Sequence, residues 1–261
     1  MHNKEQNWTS LFGDIPAEGT FWHGTWTRYA PDQEVLTSFQ AVRSFVPNQD
    51  STVINHTNNY RYDDGKTEQK QWQIDKKYCN KSDGIIHPAS ASGRALSFGD
   101  AKVWISQNLE PGKLFASELF FQHQEWRTSV AMMYSGGRDL TGITHIREHL
   151  GSFPDRPPAA KIENISGKWT GTKQSMHPDL SISAAEEIEG LEIDTTEGKN
   201  ETFFLPDGIV VNCPKQIYIG VEFELVSGKF VAENKYKRLT VKYDRTGAFS
   251  QLISEVFNRQ S

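Results

Sequence analysis

Glu118 stands in the run Ala116-Ser117-Glu118-Leu119-Phe120-Phe121, so on an extended chain it shares a face with Ala116 and Phe120. A carboxylate among such neighbours must find a cation or hold a proton, because an unpaired buried charge is costly. Arg43, on one face with Phe39, Ala41 and Phe45, is a candidate partner, as are Arg127 and Arg147. His56 alternates with Ile54, Asn58, Tyr60 and Tyr62, which sets an imidazole and phenols on one face of one strand. These residue types suit proton transfer, with Glu118 or His56 as acid or base and Tyr60 and an arginine stabilising developing negative charge. They equally suit the binding of an apolar molecule. Trp72, Phe45 and Phe120 then supply contact area, while Arg43, Arg127, His145 and Arg147 supply polar anchors, an arginine pairing with a carboxylate or enolate. A structural reading stands beside each: Glu118 as a buried ion pair, and His56 and His145 as satisfied interior histidines.

Other chemistries lack their signatures. His23, His56 and His123 show no His-x-x-x-His spacing and no fixed carboxylate partner. His145 and His149 have that spacing, but on a run read as a strand, where i and i+4 stand about 13 Å apart, so no metal is expected. Cys79 and Cys213 are too few for a zinc site and read as two free thiols of a reducing compartment. No glycine loop precedes a helix to cradle phosphate, and Ser135-Gly136-Gly137 reads as a hairpin turn rather than a nucleophile elbow. No cofactor is expected. A net charge of -5 without a basic block disfavours nucleic acid as a partner. No apolar run approaches the roughly 20 residues of a membrane-spanning helix, and the opening Met1 to Asn7 lacks the core of a signal peptide. A cytoplasmic protein is expected.

The elements that must position these groups read as strands. Before residue 150 they are 21–29, 36–46, 52–62, 67–75, 101–107, 114–122, 127–134 and 140–148, separated by turn residues such as Asp63-Asp64-Gly65. Eight short antiparallel strands fit an up-and-down barrel. The phase of 53–62 puts Ile54, His56, Asn58 and Tyr60 inside; that of 67–75 puts Trp72 and Ile74 inside and Gln69, Gln71 and Gln73 in water. Pro154, Pro157 and Pro158 break any regular element and mark a stiff linker. The expected organisation is a barrel over 1–153, a linker over 154–160 and a smaller barrel over 161–261. Gly24-Thr25-Trp26-Thr27 and Gly167-Lys168-Trp169-Thr170 repeat one phrase, and both halves end on a strand, a glycine turn and a strand closing on glutamate (Glu148, Glu255). A tandem duplication follows, with Trp26 and Trp169 as plugs of the two barrel floors.

A Gly-x-Trp opening a run of antiparallel strands resembles the lipocalin (calycin) hallmark. His23 to Tyr29, Ser38 to Phe45, Ala116 to Phe121 and Thr144 to Glu148 more specifically resemble an uncharacterised family of tandem lipocalin-like proteins, found mainly in cyanobacteria and plants. The resemblance implies an all-β fold of two tandem calycin-like barrels and leaves activity open. It also implies that a late arginine, here Arg147, covers the floor tryptophan. Three functions are expected to compete. One is a carrier of a small hydrophobic molecule (pigment, terpenoid, fatty-acid-like or tetrapyrrole) in the N-terminal lumen. Another is a cofactor-free cyclase, isomerase or lyase working in the same lumen through Glu118, His56 and Tyr60. The third is a scaffold with filled barrels that meets a protein partner through the C-terminal barrel.

Overall fold

The computed structural model describes residues 4–162, 165–194 and 196–260. The chain opens with helix α1 (Lys4–Phe12) and continues with β1 (Thr20–Tyr29), β2 (Val35–Pro47), β3 (Val53–Arg61) and β4 (Thr67–Asp75). A single turn, α2 (Lys76–Cys79), leads to β5 (Asn80–Lys81), β6 (Gly84–His87), β7 (Ser90–Phe98) and β8 (Ala101–Ser106). The first half ends with β9 (Phe115–His123), β10 (Trp126–Ser135) and β11 (Asp139–Leu150). These eleven strands form one antiparallel sheet in the order β4-β3-β2-β1-β11-β10-β9-β8-β7-β6-β5, curled into a nearly closed barrel. β4 and β5 meet through α2 instead of a hydrogen-bonded ladder.

All eight expected strands are present, and three more fill the stretch from Cys79 to Gly99. That stretch carries small and polar residues without clean alternation, so periodicity did not mark it. The polar opening hides α1. Its Trp8 and Phe12 pack on Ile54, Ile74, Cys79 and Ile85 and cover one end of the barrel. Asn7, fully buried, ties the helix to β7 by accepting from the Ser97 amide (2.8 Å) and donating to the Ala95 carbonyl (3.2 Å).

The second half contributes β12 (Trp169–Met176), β13 (Glu186–Glu189), β14 (Glu201–Leu205), β15 (Ile209–Cys213), β16 (Phe223–Ala232), β17 (Lys235–Tyr243) and β18 (Phe249–Arg259). They order as β13-β12-β18-β17-β16-β15-β14, matching β2-β1-β11-β10-β9-β8-β7 of the first barrel. The duplication is therefore visible in topology, but its register differs from the repeated phrase. Trp22 pairs with Leu150 and Gly24 with Glu148; Trp169 pairs with Arg259 and Gly171 with Phe257. The final hairpins, each with a register shift beside Tyr134 or Tyr243, put Leu150 and Arg259 in equivalent places. Trp169 is thus the counterpart of Trp22, not of Trp26, and the true repeat is Trp-x-Gly-Thr. Both glycines are forced: a Cβ on Gly24 would lie 2.2 Å from the Arg147 carbonyl oxygen, and one on Gly171 2.4 Å from that of Val256.

The two barrels share one core. Phe115, Leu119, Val130, Met132 and Ile143 on the outer wall of the first pack with Phe203, Val211, Leu225, Leu239 and Val241 of the second. Around this core the backbone contacts come in matched pairs. The Phe249 amide donates to the Gln107 carbonyl (2.8 Å) as that of Leu140 does to Lys215 (2.9 Å). The Leu109 amide reaches Gly247 (2.7 Å) as that of Ile217 reaches Arg138 (2.9 Å). Such reciprocity is what a two-fold axis imposes on identical partners. Both cysteines are buried and unpaired. No helix among the described residues is long and apolar enough to cross a membrane.

Candidate functional site

A cavity of about 410 Å³ occupies the first barrel between α1 and the mid-height of the wall. Alternation fixes its lining. Trp22 and Trp26 come from β1, Arg43 and Phe45 from β2, His56 and Asn58 from β3, and Trp72 and Ile74 from β4. Lys102 and Trp104 come from β8, Glu118 and Phe120 from β9, and Arg127 from β10. The inward phases expected for Arg43, Phe45, His56, Trp72, Glu118 and Phe120 thus meet on one space. Tyr60 is one inward step beyond Asn58, in an aromatic group with Trp26 and Phe39 (centroids 5.4 and 5.8 Å) past the end of the cavity.

Four charges span the barrel. Both Nη atoms of Arg43 donate to Glu118 Oε1 at 3.2 Å, and Ser129 Oγ donates to the same oxygen at 2.7 Å. Arg127 Nε donates to Glu148 Oε2 at 2.8 Å, with Nη2 2.7 Å from that oxygen. Arg43 Nε stands 3.4 Å from Glu148 Oε1, off the hydrogen-bonding axis, so that electrostatic attraction rather than a directed bond closes the cluster. Glu148 is completely buried. Two guanidinium groups and two carboxylates cancel, which is how such charges survive in a dry interior. The guanidinium carbons also sit over aromatic faces, Arg43 at 4.7 Å from the Trp26 centroid and Arg127 at 4.3 Å from that of Trp22.

The histidines form a chain with one permitted direction. The Ala89 amide donates to His87 Nδ1 (3.1 Å), so that nitrogen carries no proton and His87 Nε2 must. His87 Nε2 then donates to His56 Nδ1 (2.8 Å), and His56 Nε2 to Asn58 Oδ1 (3.0 Å). Asn58 Nδ2 donates to the Tyr60 hydroxyl (2.9 Å). Reversing the Asn58 amide would reverse every link and set two N–H groups against each other at Ala89, so the backbone fixes both tautomers. Burial first, and the Arg43 charge next, push His56 down to about 2 and His87 down to about 4. Neither ring keeps a free lone pair, and His56 is therefore poorly placed as a general base.

His145 and Arg147, expected among the anchors, lie on the opposite face of β11, outside the lumen. Residues 144, 146 and 148 point inward there, and the odd positions face the second barrel. Arg147 Nε donates to Asp207 Oδ2 (2.7 Å), and its Nη1 to the Arg156 carbonyl (3.0 Å), pinning the proline-rich segment and bridging the barrels. Its guanidinium covers Trp126 (4.3 Å) instead of Trp26, which Arg43 covers. His145 is 4% exposed, and burial pushes it down to about 4. Trp169 is buried with Tyr236 and Phe257 inside the second barrel and lies under Arg259 (4.9 Å). That barrel carries its own inward pair, Arg238 Nε to Glu255 Oε2 at 2.5 Å.

Asn58 lies in the lumen as its strand phase predicts, whereas sequence reasoning missed Glu148, His87, Trp22, Trp104 and Lys102 as lumen groups. Glu148 was within reach: Arg127 and Arg238 begin equivalent strands and Glu148 and Glu255 lie on their partners, a cross-strand pattern. Among the described residues no cluster of three or more His, Cys, Asp or Glu is arranged to hold a metal ion.

Residues 4–153 match the family model described as domain of unknown function DUF3598, N-terminal. Residues 180–259 match that of the C-terminal domain of biogenesis factor required for ATP synthase 1. Among solved structures, a DUF3598-family protein of unknown function from Nostoc punctiforme is 16% identical, with a TM-score of 0.73 over 97% of this chain and 99% of that one. Two mutants of Rh. blastica porin, 9% and 10% identical, cover 93% of this chain and 99% of theirs at a TM-score of 0.20, which carries no fold relationship. No curated protein matches the chain.

Proposed function

This chain belongs to the DUF3598 family, and we propose that its N-terminal barrel binds a small hydrophobic molecule in the lumen. The supporting observation is the 410 Å³ cavity walled by Trp22, Trp26, Phe45, Trp72, Trp104 and Phe120. A space of that size and lining is of the kind that takes one small ligand. The calycin likeness, Gly-x-Trp at the head of an antiparallel barrel, points the same way. Titration with Nile red, a neutral apolar dye, is expected to give blue-shifted, saturable emission at one site and energy transfer from the lumen tryptophans. Native mass spectrometry of freshly purified protein reads any ligand that co-purifies. Absence of saturable dye binding, with Thr20→Trp at the mouth changing nothing, overturns the reading.

Turnover in the same lumen would rest on Glu118, whose Oε2 has no hydrogen-bond partner among the described residues, because both histidines are engaged. A second reading concerns the other half. Its likeness to the C-terminal domain of a biogenesis factor required for ATP synthase supports a role in assembly. The loop after β15 exposes Tyr218, Ile219 and Val221 (39, 54 and 57% accessible), an apolar tip suited to a protein partner. Cosedimentation with purified ATP synthase subunits, abolished by Ile219→Ser with Val221→Ser, is the expected outcome; equal cosedimentation of the variant, or none by either form, rejects it.

A further inference from the structure

Lys102 is the one lysine on the cavity wall, and it was not foreseen as part of a site. Its strand shows why it points inward. Ala101, Val103 and Ile105 enter the core shared by the two barrels, so Lys102 and Trp104 must turn to the lumen. Lys102 pairs across the sheet with Phe120 and Ser97, at the start of β8, so its stem runs along apolar wall with the ammonium near the rim.

Every other cation of the lumen is already matched. Arg43 is held by Glu118 and Arg127 by Glu148. Asp100 beside the rim is matched by Lys237 of the second barrel. Among the described residues Lys102 alone of these groups makes neither an ion pair nor a hydrogen bond. The charges facing it are Arg127 from β10 and Asp14 from the segment after α1, and burial and Arg127 outweigh Asp14 in pushing its ammonium below the ordinary lysine range. The cost of keeping that unpaired charge half-buried beside the Arg127 guanidinium is relieved by an anion. The rest of the mouth, Ser10, Thr20 and Gln122, is polar and uncharged.

We infer that the lumen takes a singly charged anionic amphiphile, a carboxylate with an apolar body, its head at Lys102 and its body reaching inward to Trp22, Trp26, Phe45 and Trp72. This rests on the lumen-binding reading above. It moves the anchoring role from Arg43, whose charge is spent within the barrel, to a lysine at the entrance. It also sets the direction of entry, with the apolar end first.

The test compares cis-parinaric acid, an intrinsically fluorescent carboxylate, with its methyl ester, read by energy transfer from the lumen tryptophans. The acid is expected to bind the full chain about tenfold more tightly than the ester at low salt, an advantage that shrinks as salt rises. Lys102→Met should bring the acid down to the ester's affinity and leave the ester unchanged. Lys102→Arg should keep the preference, and Asp14→Asn should enlarge it. Equal binding of acid and ester by the parent protein overturns the inference while leaving lumen binding intact. Loss of both probes in Lys102→Met, with both retained in Lys102→Arg and no preference between them, shows a packing role and overturns it too. Failure of the parent to bind either probe removes the lumen reading and this inference with it.

Discussion

Tyr134 and Tyr243 hold equivalent places in the two halves, and each donates its hydroxyl to a carbonyl of the other half. Tyr134 reaches Pro214 at 2.8 Å, and Tyr243 reaches Ser106 at 2.9 Å. Both rings are essentially inaccessible to water. Removing either hydroxyl leaves a buried carbonyl without that donor. Tyr134→Phe and Tyr243→Phe should each cost about 1–2 kcal/mol, in similar amounts. Urea unfolding followed by circular dichroism measures both, and unequal losses would show that the symmetry of the contacts is not one of energies.

The histidine chain predicts how stability varies with pH. His56, His87 and His145 are neutral in the fold, pushed down to about 2, 4 and 4, whereas in the unfolded chain they titrate near the ordinary histidine value. A base whose folded pKa is lowered binds fewer protons when folded, so its contribution is complete above the unfolded pKa and is lost as pH falls. Stability should decline below about pH 6.5, by up to about 1.4 kcal/mol per pH unit for each ring. Nitrogen-15 spectra should show His56 and His87 protonated on Nε2 from pH 8 to pH 5; an Nδ1–H on either ring breaks the proposed direction.

Glu148 is the carboxylate whose loss matters most. Glu148→Gln leaves Arg127 buried without its counter-charge and unbalances Arg43, and about 3–5 kcal/mol should be lost. Replacing both partners, Arg127→Met with Glu148→Leu, should recover much of that. A thermal-melt cycle over the four proteins measures the coupling. Glu255→Gln removes the partner of Arg238 in the second barrel, two residues before the place equivalent to Glu148 (Phe257), and should also destabilise.

Gly24 and Gly171 test the repeat itself. Alanine at either position drives a Cβ into the backbone of the last strand of its barrel. Gly24→Ala and Gly171→Ala should each cost at least about 1–3 kcal/mol, the range for forced overpacking. Gly167 is needed for a different reason: an added Cβ there meets only Arg259 side-chain atoms at 3.5 Å or beyond, but its φ of +108° strains any L residue.

Alternation and turn chemistry carried the sequence reading a long way. The inward faces of β2, β3 and β4 were legible because each sets aromatic or aliphatic residues on one phase and mostly polar ones on the other. That of β9, whose outward Phe115, Leu119 and Phe121 are equally apolar, was followed from Glu118. β11 was not, because both of its faces are buried. With a second barrel on its outer side, Ile143 and Ile146 look alike, and the phase of Arg147 against Glu148 has no local signal. Register was equally hidden. Gly24-x-Trp26 and Gly167-x-Trp169 match in letters, yet strand pairing aligns Trp22 with Trp169. α1 is too short and too polar for its periodicity to stand out, and Trp8 and Phe12 acquire meaning only against the barrel end. Lys102 is one charged residue in a strand whose other face is covered by the second barrel.

The matched contacts between the halves have a bearing on how the chain behaves when it is cut or stalled. A surface whose donors and acceptors complement their own rotated image accepts a twin as readily as its covalent neighbour. Two N-terminal fragments set face to face would offer Tyr134 of one copy to the Ser106 carbonyl of the other, the place Tyr243 fills in the intact chain. A truncated product should therefore not persist as a lone barrel with a greasy flank in water. It should pair with a sister fragment, whereas in the whole molecule the second half already covers that face.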